Sequence, residues 1–227
     1  MSPQRGRPSE VNLLDLKIDM HVHTCYSSDA FSTLREVIVY SKKKGLDGVA
    51  ITDHDTLDGA QKLQGNDLIV IPGIEVTTLH GHVLALNVSH SIPSKLDINE
   101  TIKRIHEAGG IAVAAHPTAF CKTISYLSKA SYDGIEVINS AAILFPLLTY
   151  VNKKLATRLD LPQTAGSDSH LAPEIGSAYT IVKAEPHIDG IIQAITEGKT
   201  IPIGNPIPWR IRINKKAHKI QKRICNF

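Results

Sequence analysis

Two histidines spaced two residues apart, His21 and His23, close the alternating run Lys17-Ile18-Asp19-Met20-His21-Val22-His23-Thr24. Read as a strand, the run has a side-chain period of two, which sets both imidazoles on one face. Side-by-side imidazoles at the end of a buried strand make a poor core and a good pair of metal ligands. Alone, the pair could equally be two exposed histidines, because His-x-His is a weak signal. The rest of the chain adds potential ligands: His54 within Asp53-His54-Asp55, Glu75 after Pro72-Gly73-Ile74, His82, His116 before Pro117, and Asp168 and His170 within Ser167-Asp168-Ser169-His170. With Asp29 the set comprises His21, His23, Asp29, His54, Glu75, His82, His116, Asp168 and His170. One ion takes about four to six ligands, so this set points to two or three metals. Imidazole and carboxylate donors without thiolate suit Zn²⁺, Mn²⁺ or Fe²⁺, not a structural zinc knot.

The elements that must position these groups are legible as a β-then-α alternation. Gly48-Val49-Ala50-Ile51-Thr52, Asp67 to Thr77, Ile111 to Ala115 and Gly134 to Asn139 are short apolar runs, as expected of parallel strands covered on both faces. Gly81 to Asn87 could be a hairpin partner of the second of these. A helix is expected over 33–45, with Ser32 as N-cap, basic residues in its last turn and a glycine stop. Asp97 and Glu100 form a capping box before a stripe of Ile98, Ile102 and Ile105, which Gly109-Gly110 ends. Pro146 to Leu159 reads as a helix, Ala178 to Val182 as a late strand, and Ile188 to Ile195 as a closing helix. No GxGxxG or Walker loop is present. The polar set falls at or just past the carboxyl ends of successive strands, which a barrel gathers around one mouth and an open sheet would spread along a line. Six of the 11 histidines sit at such ends. We therefore expect one α/β barrel over 13–208, between a flexible N-terminus (1–12) and a basic tail (209–227).

Composition narrows the class further. The chain has 227 residues, 42% of them hydrophobic. It has no apolar run approaching the roughly 20 residues of a membrane span, and no signal-peptide h-region comes after Met1. A soluble, cytoplasmic protein is expected. Cys25, Cys121 and Cys225 imply no disulfide framework; Cys25 could approach a metal, but a buried free thiol is the favoured reading. Eight basic and no acidic residues lie beyond Glu197, so the formal charge of +3 resolves into a body of −5 and a basic end. The run Trp209-Arg210-Ile211-Arg212-Ile213 alternates like a short strand packed on the barrel. Residues 214–227 read as a solvated charged segment rather than a nucleic-acid site.

His21-Val22-His23, Thr52-Asp53-His54-Asp55, Pro72-Gly73-Ile74-Glu75, Ala115-His116-Pro117 and Gly166-Ser167-Asp168-Ser169-His170 together resemble the four-motif signature of the polymerase and histidinol phosphatase (PHP) superfamily. The resemblance spans residues 17–204. It implies a distorted seven-stranded, TIM-like (β/α)₇ barrel holding three metals. The first would be held by His21, His23, Asp168 and a bridging Glu75, the second by Glu75, His82 and His116, the third by Asp29, His54 and His170. His80 competes with His82, and Ser28 or Cys25 with Asp29. Asp19, Asp53 and Asp55 flank ligands and could hold an imidazole N–H or serve as turn formers. Catalytic roles are assigned to Asp53, as a proton shuttle, and to His54 and His170. His90, His106, His187 and His218 match nothing and are read as surface residues.

The expected activity is that of a metal-dependent hydrolase cleaving a phosphate ester of a small molecule or nucleotide by a metal-bridged hydroxide. Lys122 and Arg158 are the few cations that could grip phosphate, although solvated surface charge is the favoured reading for both. The rivals are a nuclease, disfavoured by the acidic body, and a non-catalytic metal-binding scaffold.

Overall fold

The computed structural model describes residues 12–63, 67–119 and 121–213. Strands β1 (Leu14–Val22), β2 (Gly48–Ile51) and β3 (Ile69–Thr78) run parallel, with α1 (Leu34–Lys43) and α2 (Asp58–Lys62) as crossovers. β4 (Gly81–Leu86) turns back antiparallel on β3, as its hairpin reading expects. It also pairs antiparallel with β5 (Ile111–Ala114), which is reached through α3 (Ile98–Glu107). β6 (Gly134–Asn139) and β7 (Gln163–Gly166) continue parallel from β5 by way of α4 (Cys121–Leu127) and α5 (Phe145–Leu159). β8 (Ala178–Ala184) and β9 (Thr200–Gly204), with α6 (Ile188–Thr196) between them, form an antiparallel pair on the other side of β1.

The strand order is β7-β6-β5-β4-β3-β2-β1-β8-β9. The two ends of this sheet meet. The Asp168 N–H donates to His21 O at 2.9 Å and the His23 N–H to Ser169 O at 3.0 Å. The Thr180 hydroxyl of β8 accepts from Ala165 N (2.8 Å) and donates to Ala165 O (3.1 Å). The result is the expected distorted TIM-like barrel, with nine strands where the family resemblance implies seven. β9 is a strand the sequence does not announce, because Pro202 argues against one; as an end strand it tolerates the missing donor.

Apolar side chains form two buried layers. Ile18, Met20, Ala50, Ile71, Leu84 and Val113 come from β1 to β5 and fill the barrel, joined by Ile191 and Ile195 of α6. Val49, Ile51, Ile74 and Val83 face outward against Val37, Ala60 and the Ile98, Ile102 and Ile105 stripe of the helices. Burying a side chain of this size stabilises by about 1.5–3 kcal/mol, and the alternation between layers fixes which residues reach the mouth.

Two bulges interrupt that alternation. On β1, Asp19 pairs with Val49 and Val22 with Ile51, so β1 carries one residue more than β2. Met20 faces the barrel interior and Val22 the helices, and the extra residue lets His21 and His23 both turn inward. On β6 the register shifts between Glu136 and Ile138. Val137 and Ile138 both pack outward, leaving Glu136 and Asn139 facing in.

Several local expectations need correction. The N-cap of α1 is Thr33, not Ser32: Thr33 Oγ1 accepts from Glu36 N at 3.2 Å while Glu36 Oε2 accepts from Thr33 N at 2.8 Å. Ser32 is buried, and its carbonyl accepts from Cys25 N. Asp97 caps α3 through Asn99 N, but Glu100 reaches forward to Arg104 Nε at 2.8 Å, so the box is half made. Cys25 is exposed, not buried. Residues 209–213 are helical, not a strand. Pro208 has a fixed φ suited to a helix start, and its carbonyl accepts from Ile211 N and Arg212 N. Most of the N-terminal segment 1–12, the tail 214–227 with Cys225 and His218, and the side chains of Cys121 and Lys122 lie outside the described residues. Among the described residues no helix is long and apolar enough to cross a membrane.

Candidate metal centre

Glu75 enters the barrel mouth from β3 and is 1% exposed. Its Oε1 lies 2.8 Å from His82 Nδ1 and 2.8 Å from His116 Nε2. Its Oε2 lies 3.2 Å from His21 Nε2, 3.1 Å from His23 Nε2 and 3.4 Å from His54 Nδ1. One carboxylate thus sits among five imidazoles. Asp168 adds Oδ1 at 3.6 Å from His21 Nε2 and 3.3 Å from His23 Nε2. Asp29 reaches His170 Nε2 at 3.0 Å and His54 Nε2 at 3.9 Å. All nine residues named from the sequence therefore converge on one mouth. Of the two rival histidines, His82 turns to Glu75, whereas His80 stacks on Tyr126 at 4.3 Å.

The direction of the lone pairs tests whether this set suits cations. His21 Nδ1 faces Glu136 Oε1 at 2.9 Å, an acceptor, so that nitrogen carries the proton and Nε2 presents a lone pair. That lone pair points at Glu75 Oε2 and, across 3.1 Å, at His23 Nε2. His170 Nδ1 likewise faces the Asp168 carbonyl at 3.0 Å, which leaves its Nε2 lone pair against the Asp29 carboxylate. Lone pairs facing lone pairs require a positive charge between them, as protons or as metal ions. Ligand atoms of His21, His23, Glu75 and Asp168 lie within 4.8 Å of one another, as do those of His54, Glu75 and His82, and of His23, His54 and His170. The donor chemistry fits divalent cations.

The titration behaviour of these groups stems from the same crowding. Burial, the largest influence, disfavours an imidazolium at His21, yet Glu136, Asp168 and Glu75 together raise its pKa well above the usual value. His23 is disfavoured as a cation by burial but raised to about 9 by Asp168 and Glu75. His116 is also raised, through Glu75, against the opposing effect of burial. Burial pushes the Glu75 and Asp168 carboxyls up, but the surrounding imidazoles, His21 foremost, hold both well below the ordinary range. His54 is lowered, chiefly by burial. Without metal, protons occupy the positions that cations would take.

The supporting residues are mostly ones the sequence did not single out. Glu136 is fully buried and holds three partners: His21 Nδ1, His116 N at 2.8 Å and Asn139 Nδ2 at 3.0 Å. Its signal was a lone charge inside an apolar strand, since buried charges are paired. Ser27 Oγ pairs with His23 Nδ1 at 3.1 Å and accepts from His54 N at 2.8 Å. Asn139 also donates to Asp168 Oδ2 at 3.2 Å. His116 and Asp168 have φ of 27° and 52°, strained values for residues other than glycine that persist where the surroundings over-determine them.

The flanking aspartates hold backbone rather than imidazole. Asp53 accepts from Thr24 N (2.6 Å) and Thr24 Oγ1 (2.7 Å), is fully buried, and joins the residue after His23 to the one before His54. The latch pins the start of the loop after β1 to the turn that carries His54. A side chain on Gly59 would clash with Asp53 Oδ2, so that glycine is needed for close approach. Asp19 accepts from Ser167 N (2.8 Å) and Gly176 N (2.9 Å), and burial raises its pKa to about 6. Asp55 turns the chain at φ 55° and accepts from Thr77 N at 2.7 Å. Of the unmatched histidines, His106 pairs with Asp133 at 2.8 Å and His187 caps α6 through Gly190 N. Arg158 is exposed on α5.

A cavity of about 510 Å³ opens beside the cluster, bordered by His54, Glu75, His82, His116, Asp168 and His170. Its other wall is the loop after β6 and the first turns of α5.

Several known proteins are similar to this chain. A PHP-associated family model matches residues 152–200, which include Asp168 and His170. An uncharacterized protein of Methanocaldococcus jannaschii is 36% identical over 141 residues, covering 55% of this chain and 82% of that one. A protein of Syntrophotalea carbinolica named as a probable phosphatase is 26% identical over 202 residues, covering 72% of this chain and 84% of that one. A solved two-domain protein of Bacteroides vulgatus, described as containing a predicted PHP-like metal-dependent phosphoesterase, superposes with a TM-score of 0.68. It is 20% identical and covers 88% of this chain and 70% of that one. The chain belongs to the PHP superfamily. Within this PHP barrel the histidine pair of β1 and the aspartate–histidine pair after β7 meet across the strand seam, which explains how motifs near opposite ends of the chain form one site.

Proposed function

We propose that this protein is a metal-dependent phosphoesterase that hydrolyses a phosphate ester of a small molecule. The observation that carries the reading is the convergence of six imidazoles and three carboxylates, with Glu75 at their centre, at the mouth of a barrel beside an open cavity. His21, His23, Glu75 and Asp168 would hold one cation, Glu75 with His82 and His116 a second, and Asp29 with His54 and His170 a third. Such cations, when bound, activate water at neutral pH and neutralise non-bridging phosphoryl oxygens. The chain's own contribution is orientation. Glu136 fixes the His21 ring, Ser27 the His23 ring, and Asn139 one oxygen of Asp168. His54 and His170 also border the cavity and would lie beside a bound substrate. The Bacteroides and Syntrophotalea relatives, by their names, support a phosphoester substrate. No lysine or arginine among the described residues lines the cavity, which favours a small monoester over a long nucleic-acid polyanion.

The test is phosphate release from a panel of monoesters by protein loaded with Mn²⁺ or Zn²⁺, beside a His116→Ala variant. Loss of turnover on chelation, and in the variant, is expected. Turnover that survives both would refute the reading.

A further inference from the structure

We propose that the segment from Ala141 to Asn152 is a leaving-group subsite for an uncharged alcohol that has an apolar body and carries a hydrogen-bond donor. This narrows the substrate class of the phosphoesterase reading and rests on it. The cavity has two unlike walls. One is the histidine–carboxylate cluster; the other is Ala142, Ile143, Leu144 and Leu148, at the start of α5. Ile143 is 89% exposed and Leu144 58%. A single exposed apolar residue is ordinary, but here several line a concave site continuous with the polar cluster, which is the usual form of a ligand pocket. An ester whose phosphate reaches the cluster can lay its alcohol against this wall.

Two features define that alcohol. Among the described residues no lysine or arginine borders the cavity, so a second anionic group would find no cationic side chain among them. Asn152, in contrast, is 3% exposed and lines the cavity, and its Oδ1 has no hydrogen-bond partner. A buried amide oxygen left unpaired is destabilising, and a donor on the ligand would relieve it. Thr118 Oγ1, also on the cavity lining, is buried without a partner too. The wall is held in place in advance: Arg212 donates to Ser140 O and Ala141 O at 2.9 Å and to Ala142 O at 3.1 Å. A volume of about 510 Å³ accommodates a bicyclic body.

The experiment compares three esters of primary alcohols, so that intrinsic leaving-group reactivity is matched: tryptophol phosphate, naphthylethyl phosphate and glycerol phosphate. The first has an apolar body with an N–H donor, the second a similar body without one, the third hydroxyl donors but no apolar body. With metal-loaded protein, kcat/KM should be about tenfold or more higher for tryptophol phosphate than for glycerol phosphate, with naphthylethyl phosphate between. Asn152→Leu should abolish the preference of tryptophol over naphthylethyl phosphate. Ile143→Asp, at an exposed position that does not threaten folding, should lower both aromatic esters relative to glycerol phosphate. Calorimetric binding of tryptophol itself should weaken in Asn152→Leu. Equal kcat/KM for all three esters, or tryptophol binding indifferent to both substitutions, overturns the subsite while leaving the phosphoesterase reading intact. Tryptophol bound with no ester hydrolysed overturns the phosphoesterase reading instead.

Discussion

Glu136 touches no solvent, yet three groups at the candidate centre depend on it: the His21 ring, the backbone of His116 and the side chain of Asn139. Replacing it by glutamine keeps the shape but lets the amide present a donor to His21 Nδ1, so the ring can flip its tautomer. Substitutions of groups that orient metal-bound imidazoles cost about 10- to 100-fold in metal affinity. Glu136→Gln should show a loss of that size in chelator competition, with an unchanged circular-dichroism spectrum. A second expectation at this scale concerns protons. His23 keeps its proton up to about pH 9, and His21 and His116 also hold theirs above the ordinary range. Metal binds only the unprotonated ring, so the metal-free protein carries more protons than the loaded one. Loading should therefore release protons, and apparent affinity should fall as pH drops from about 9 toward neutrality. Titration calorimetry in two buffers of different ionisation enthalpy measures the release; none at pH 7 would contradict it.

Among the elements, two connections decide whether the site keeps its shape. The Thr24–Asp53 latch holds the loop after β1 against the turn after β2. Thr24→Val removes the hydroxyl donor and leaves a buried carboxylate oxygen unpaired, at a cost of about 1–3 kcal/mol. For a chain of this size each kcal/mol lowers Tm by about 2–4 °C, which a thermal melt of the variant reads directly. The second connection is the helical turn at 209–213, whose Arg212 spreads its guanidinium over the carbonyls of Ser140, Ala141 and Ala142. Arg212→Ala should leave the barrel folded but accelerate amide hydrogen exchange across 140–148 and raise KM more than it lowers kcat. Alternating charge along 209–213 gave no hint of this, because the partners of Arg212 are backbone carbonyls about 70 residues away.

At the scale of the whole molecule, the mouth concentrates carboxylates and imidazoles that repel or leave lone pairs facing one another without a cation. Ions that bind the folded state alone stabilise it by RT ln(1 + [L]/Kd), about 2.7 kcal/mol at a hundredfold excess over Kd. Chelation should thus lower Tm by about 5–11 °C at that loading. A melt indifferent to chelator would mean that no cation is held there. The mixed sheet also explains why the candidate ligands come from both ends of the chain: β7 returns to β1, and the bond from Asp168 N to His21 O brings residues 21 and 168 side by side.

By itself the sequence determined the strand ends, the helix stripe of Ile98, Ile102 and Ile105, and the identity of the converging histidines and carboxylates. Those features are periodic or compositional, and period is a local property. The inward turn of His21 and His23 was not legible, because it depends on one extra residue in β1 relative to β2, and a bulge exists only between two strands. Glu136 and Asn139 reach the same mouth by a second bulge, between β6 and β7. Asp53 was legible as a residue flanking His54; only the fold shows that both of its oxygens accept from Thr24. The histidine pair at the end of β1 was thus named by the chain, and its direction was decided by the neighbours with which that strand pairs.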